Sequence, residues 1–239
     1  MSLSITILPN LCAPNLEELD ISCCENLIEI HEAIGSLEKL KRWDLEGCNK
    51  LQILPSSSRL KSLEYIYLDE CVSLETLPDL GAPNLRDLSI SYCENLIEIH
   101  EAIGSLEKLT CWKHAGCKKL QILPSSFRWK SLEYIYLDNC VSLETLPDLG
   151  APNLRDLSIS HCENLIEIHE AFGSLDKLLN FEVHNCKKLQ ILPNTLRLKS
   201  LESLTLNFCV SLEKFPNIHP EIKCRDVDLS HCNIKEWPL

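Results

Sequence analysis

No stretch of this sequence approaches the roughly 20 consecutive apolar residues that a membrane helix requires, so no helical span is expected. The N-terminal MSLSITILPNLCAP has neither a basic n-region nor a long apolar h-region and does not read as a secretory signal. No N-x-S/T glycosylation acceptor is present. Basic side chains are in deficit: 23 Lys and Arg stand against 35 Asp and Glu, a net charge of −12. Phosphate binding needs a Lys or Arg surface, so this balance argues against duplex nucleic acid, and equally against an anionic membrane. Catalytic signatures are missing too. There is no nucleophile elbow, no H-E-x-x-H, no C-x-x-C and no carboxylate pair beyond what an acidic surface supplies. The expectation is a protein without catalytic residues, cofactor or metal.

What the chain does have is one pattern, repeated. Residues 132–147, LEYIYLDNCVSLETLP, read L-x-x-L-x-L-x-x-C-x-x-L-x-x-L-P, and the pattern returns with first residues Leu16, Leu40, Leu63, Leu85, Leu109, Leu132, Leu154, Leu178, Leu201 and, irregularly, Cys224. The spacings are 24, 23 and 22 residues, then the same three again. That is the leucine-rich-repeat period, in which each unit is a short strand plus a return segment that must stack on its neighbours to bury its apolar face. The fold class expected is an α/β solenoid: a curved parallel β-sheet on the concave side, turns and short helical segments on the convex side. Three units make a 69-residue block, visible in GAPNLRDLSIS at Gly81 and Gly150 and in ENLIEIHEA at Glu25, Glu94 and Glu163. Residues 1–15 read as the tail of a truncated preceding repeat, because Leu8-Pro9-Asn10-Leu11 matches Leu77-Pro78-Asp79-Leu80, and residues 16–239 as ten repeats.

Ten of the 14 cysteines hold one place in successive repeats, from Cys24 through Cys140 to Cys232, eight residues past the first leucine. Rungs of a parallel sheet lie about 4.8 Å apart, but side chains stacked in register point the same way, which does not suit disulfides. A row of reduced, buried thiols donating to a backbone carbonyl of the next rung is expected, and with it a cytosolic or nuclear setting.

The L-x-L alternation marks a half-buried strand, with Leu88 and Ile90, or Leu204 and Leu206, pointing inward. Return segments begin with proline at Pro55, Pro78, Pro124, Pro147, Pro193, Pro216 and Pro238. In the first unit of each block His31, His100 or His169 replaces it, ahead of a helical turn expected to end at Gly35, Gly104 or Gly173. These histidines lie three rungs apart, about 14 Å, too far to share a metal, and a structural role is expected. The repeat at Leu109 carries His114 on an inward position, which reads as a tolerated defect.

The outward strand positions carry the candidate partner-binding residues. All five tyrosines are placed there, Tyr65, Tyr67, Tyr92, Tyr134 and Tyr136, with Asp69, Asp138, His161 and His184, while Phe208 and His231 extend the set. Sixteen acidic side chains on this face, among them Glu17, Glu64, Asp87, Glu133, Asp156, Glu182, Glu202, Asp226 and Asp228, oppose only Lys41, Arg42, Arg86, Lys113, Arg155 and Arg225. Rigid aromatics among carboxylates suit a partner bearing Lys or Arg. The alternative reading, that Tyr packs cross-strand and charge keeps an exposed sheet soluble, stands beside it.

Cys in place of the more general Asn, phrases such as LKSLEYIYLDNCVSLETLPDL and the short final SHCNIKEWP together resemble the leucine-rich-repeat region of plant intracellular nucleotide-binding disease-resistance receptors of the Toll/interleukin-receptor-like class. The resemblance covers residues 8–239. It implies recognition of a pathogen-derived or guarded host protein and contact with the nucleotide-binding domain of the parent receptor. This chain holds no G-x-x-x-x-G-K-[ST] phosphate loop, so the nucleotide switch itself is not in it. Alternatives are an isolated or engineered scaffold without its own ligand and a secreted repeat-type inhibitor, the latter distinguished by paired cysteines.

Overall fold

The computed structural model describes residues 5–56, 60–124 and 126–237; Pro238 lies outside them. Ten short parallel strands form one sheet in chain order. They are Glu18–Asp20, Arg42–Asp44, Tyr65–Tyr67, Asp87–Ser89, Cys111–Lys113, Tyr134–Asp138, Asp156–Ser160, Asn180–His184, Ser203–Thr205 and Asp226–Asp228, called rungs 1 to 10 below. Positions within a rung are counted from its first repeat residue, so that Leu132 is position 1 of rung 6 and Cys140 position 9.

Period-two alternation sends positions 4 and 6 into the core. Ile66, Leu68, Leu88, Ile90, Ile135, Leu137, Leu204 and Leu206 are all fully buried there. Each such Leu or Ile contributes about 1.5 to 3 kcal/mol by leaving water, and because each rung touches mainly its neighbours the core is a continuous rod. At rung 1, Leu19 and Ile21 are only half-buried.

Position 9 closes the rung. Cys48, Cys71, Cys93, Cys117, Cys140, Cys162, Cys186 and Cys209 are buried, with Cys24 and Cys232 half-buried, and all are free thiols. The donation runs opposite to the sequence expectation: from Cys48 onward each thiol reaches the position-6 carbonyl of the preceding rung, as in Cys71 to Leu45 O at 3.3 Å, Cys93 to Leu68 O at 3.1 Å and Cys162 to Leu137 O at 3.1 Å. That carbonyl already accepts the position-9 amide of its own rung, for example Cys71 N to Leu68 O, so the thiol fills its second lone pair. Burial pushes the Cys48 thiol up to about 11 and Cys209 up to about 12. These sulfurs stay protonated and unreactive at neutral pH.

Between strand and thiol, position 8 is left-handed in every rung. Gly47 and Gly116 adopt it with φ of 73° and 68°, and so do Cys23, Glu70, Tyr92, Asn139, His161, Asn185, Phe208 and His231, with φ between 53° and 60°. A side chain there costs of order 1 kcal/mol or more. The conformation keeps the ladder intact through the turn, since the position-8 amide donates to the next rung's position-7 carbonyl, as in Tyr92 to Ala115 O, His161 to His184 O and Phe208 to Ser230 O.

On the convex side, short two-stranded parallel ladders such as Thr76–Leu77 with Glu98–Ile99 and Thr145–Leu146 with Glu167–Ile168 run directly into Pro78 and His100 or Pro147 and His169. The N-terminal Ile7–Leu8 pairs with Glu29–Ile30 in the same manner. Glu32–Ser36, Glu101–Ser105 and Glu170–Ser174 are single 3-10 helices. Their structural histidines are N-caps: the Nδ1 of His31, His100 and His169 accepts the amide of Ala33, Ala102 and Ala171 at 3.0 to 3.1 Å. The glycines do not end these helices. Gly104 lies inside its helix, where a Cβ would stand 2.0 Å from the Ser126 carbonyl of the next rung, so close backbone approach is what excludes a side chain.

His114 is fully buried and stacked on Trp112 at 5.3 Å, with no partner on either ring nitrogen. Burial pushes it down to about 3, so it is neutral.

Candidate functional site

Register sets the concave surface. Position 3 reads Glu18, Arg42, Tyr65, Asp87, Cys111, Tyr134, Asp156, Asn180, Ser203 and Asp226 along the solenoid, and position 5 reads Asp20, Asp44, Tyr67, Ser89, Lys113, Tyr136, Ser158, Glu182, Thr205 and Asp228. Tyr65 and Tyr67 therefore stand side by side on rung 3, and Tyr134 and Tyr136 on rung 6, about 14 Å further along. All four are half-buried. The Arg42 guanidinium lies 4.6 Å from the Tyr67 ring centroid and 3.2 Å from Asp44.

Burial pushes the hydroxyls of Tyr67 and Tyr136 above the ordinary tyrosine range, with the carboxylates of Asp87 and Asp156 adding to it, so both stay neutral donors. The Asp87 carboxyl is also raised by burial. Asp69 accepts from Ser89 Oγ at 2.7 Å and from the Ser91 amide at 2.8 Å. Its copy Asp138 has a buried Oδ1 with no partner.

Four of the acidic side chains belong to an edge row at position 2 and are paired within the chain: Glu17 with Lys41 at 2.7 Å, Glu64 with Arg86 at 3.5 Å, Glu133 with Arg155 at 3.3 Å and Glu202 with Arg225 at 4.0 Å. The bases counted against the face are thus mostly consumed at its edge. Only Arg42 and Lys113 stand on the inner rows.

Tyr92 and His161, placed on the outward strand from sequence, lie beyond it, three residues past Ser89 and one past Ser160, in the left-handed turn at position 8. A position-8 side chain leans along the solenoid onto the next rung. Tyr92 rests on Gly116, whose Cβ would stand 2.6 Å from the tyrosine ring. The structure thus divides the nine candidates. Tyr65, Tyr67, Asp69, Tyr134, Tyr136 and Asp138 form two like clusters on the sheet, whereas His161 and His184 begin a separate rim. There His161 meets His184 edge-on at 5.1 Å, His184 meets Phe208 at 5.5 Å, and Phe208 stacks on His231 at 4.3 Å. Asn207, absent from the sequence-derived set, ties this rim to the sheet by accepting from His184 Nδ1 and donating to Asp228 at 2.7 Å.

No family model matches the chain. Among curated proteins it is 34% identical over 231 residues to Protein SUPPRESSOR OF npr1-1, CONSTITUTIVE 1 of Arabidopsis thaliana, a match covering 88% of this chain and 16% of that protein. It is 32% identical over 275 residues to TMV resistance protein N of Nicotiana glutinosa, covering 90% of this chain and 24% of that one. The chain belongs to the leucine-rich-repeat regions of plant disease-resistance proteins. The disease resistance protein RPP4 of Arabidopsis thaliana, at 32% identity over 219 residues, is a further relative, covering 86% of the chain. The chain spans less than a quarter of the length of each of these relatives. In fold, this resistance-protein repeat array is similar to the leucine-rich repeat domain of the type III effector XopL, with a TM-score of 0.62 at 21% identity over 78% of this chain and 68% of that one.

Proposed function

We propose that the array is the protein-recognition module of a plant innate-immune receptor, holding a pathogen-derived or guarded host protein against its concave face and touching the receptor's nucleotide-binding domain. The observation that carries this reading is the pairing of rigid tyrosines with unpaired carboxylates on one continuous sheet. A ladder held by backbone hydrogen bonds gives up little side-chain entropy when a partner docks, and half-buried tyrosines present area and a hydroxyl from a fixed position. The acid excess steers a basic partner.

The test is capture from plant cytosol by the wild-type chain and by the variant with Tyr65, Tyr67, Tyr134 and Tyr136 all replaced by alanine. Capture of a partner by the wild type that is lost in the folded variant is the expected result. Equal capture by both removes the tyrosine face from the mechanism.

A further inference from the structure

The concave surface is not uniform in charge pairing. On rungs 7 to 10, positions 3 to 8 hold no Lys or Arg, yet they hold the carboxylates Asp156, Glu182, Asp226 and Asp228. Among the described residues Glu182 makes no ion pair, and the two arginines at position 2 of these rungs, Arg155 and Arg225, are spent at the edge on Glu133 and Glu202. Along the same rungs runs the ring row His161, His184, Phe208 and His231, with Phe208 39% exposed. The row is held in place: its position-8 members are fixed by the left-handed turn, and Asn207 fixes His184.

The Asn207 amide nitrogen donates to Asp228, so its oxygen faces His184 and takes the Nδ1 proton. His184 is thereby fixed beside the partly exposed ring of Phe208. At the other end of the molecule the chain supplies its own occupant for such a place: Arg42 lies over Tyr67 of the neighbouring strand and pairs with Asp44 on its own. Rungs 7 to 10 repeat the two receiving elements, an aromatic face and nearby carboxylates, without the cation.

We propose that the rim formed by His161, His184, Phe208 and His231 is a docking shelf for an arginine-bearing segment of a protein partner, whose guanidinium groups stack on the rings and pair with Glu182 and Asp228. The proposal rests on the concave side being the recognition surface and says which part of it selects the partner's chemistry. Arginine fits better than lysine because its planar group stacks on an aromatic face while its N–H fork reaches an acceptor at the edge, whereas a compact ammonium satisfies one of these at a time.

The experiment is calorimetric titration of the full chain with three hexapeptides identical except for two central residues, arginine, lysine or the neutral isostere citrulline, at two salt concentrations. The arginine peptide is expected to bind about fivefold or more tightly than the lysine peptide, with no measurable citrulline binding. Phe208→Ala and Glu182→Gln, both at exposed positions, should each weaken it at least about fivefold, while the quadruple tyrosine variant binds as wild type. Equal affinity for the lysine and arginine peptides, or arginine binding unaffected by Phe208→Ala and Glu182→Gln, overturns the shelf. If the tyrosine variant alone weakens binding, the shelf falls and the concave recognition reading survives.

Discussion

Rungs 3 and 6 carry the same five residues, YIYLD at 65–69 and at 134–138, and yet they are different places. Their inward halves match, with Ile66, Leu68, Ile135 and Leu137 all fully buried. Their outward halves differ because the rung before each differs. Tyr67 follows Arg42 and Asp44 and lies under the guanidinium; Tyr136 follows Cys111 and Lys113 and has no such cover. Asp69 is held by Ser89 and Ser91, while Asp138 keeps a buried oxygen unpartnered and its strand runs on through five residues instead of three. A rung's own sequence decides what it buries. What stands over its outward side chains is decided by its neighbour, a guanidinium at rung 3 that rung 6 does not have.

The strongest blow to the comparison would come from the buried halves. Leu68→Ala and Leu137→Ala should each cost about 2 to 5 kcal/mol in urea unfolding, and equally, since both are fully buried and packed in the same rod. A large difference between them would mean that the two cores are not copies. Next comes the rung preceding each. Rung 2 has Leu45 where rung 5 has His114, and His114→Leu should stabilise the chain with a sign fixed by protonation. The folded His114 is held down near 3 while the unfolded side chain titrates near 6.5. Below pH 6.5 the unfolded state takes up a proton that the folded state refuses, so stability is lost as pH falls from about 6.5 toward 3. At pH 5 that loss is about 2 kcal/mol and should vanish in His114→Leu; unfolding curves of both proteins between pH 5 and 7.5 should diverge steadily toward acid, and parallel curves would contradict the buried neutral state. The smallest effect lies on the surface. A double-mutant cycle should find about 0.5 to 1 kcal/mol of coupling between Arg42 and Tyr67 and none between Cys111 and Tyr136.

The parts of this account that were legible in the sequence are those that depend on one repeat at a time. Period-two alternation gave the inward rows, the common place of the cysteines gave the free-thiol row, and copying of His31, His100 and His169 pointed to a structural role that the N-cap geometry explains. Relations between unlike rungs were harder. That Arg42 covers Tyr67 follows from register and a long side chain's reach, and that the position-2 bases are taken up at the edge follows from spatial adjacency 22 to 24 residues apart. The misplacement of Tyr92 and His161 had a signal within reach. Gly47, Gly116, Asn139 and Asn185 share their column, and Gly and Asn at one recurring place mark a left-handed turn even where other repeats put Tyr, His or Phe there. Gly104 and Gly173 gave no such sign, because what they accommodate is the backbone of the next rung.

The central claim, that a protein docks on the concave face, is tested most directly by hydroxyl-radical footprinting of the chain alone and with its captured partner. Two sets of side chains report: Tyr65, Tyr67, Tyr134, Tyr136 and Phe208 on the concave side and its rim, and the exposed Ile28, Ile97 and Ile166 next to the convex ladders. The partner is expected to protect the aromatic set and to leave the isoleucines as reactive as before. Protected isoleucines beside unchanged aromatics would contradict it.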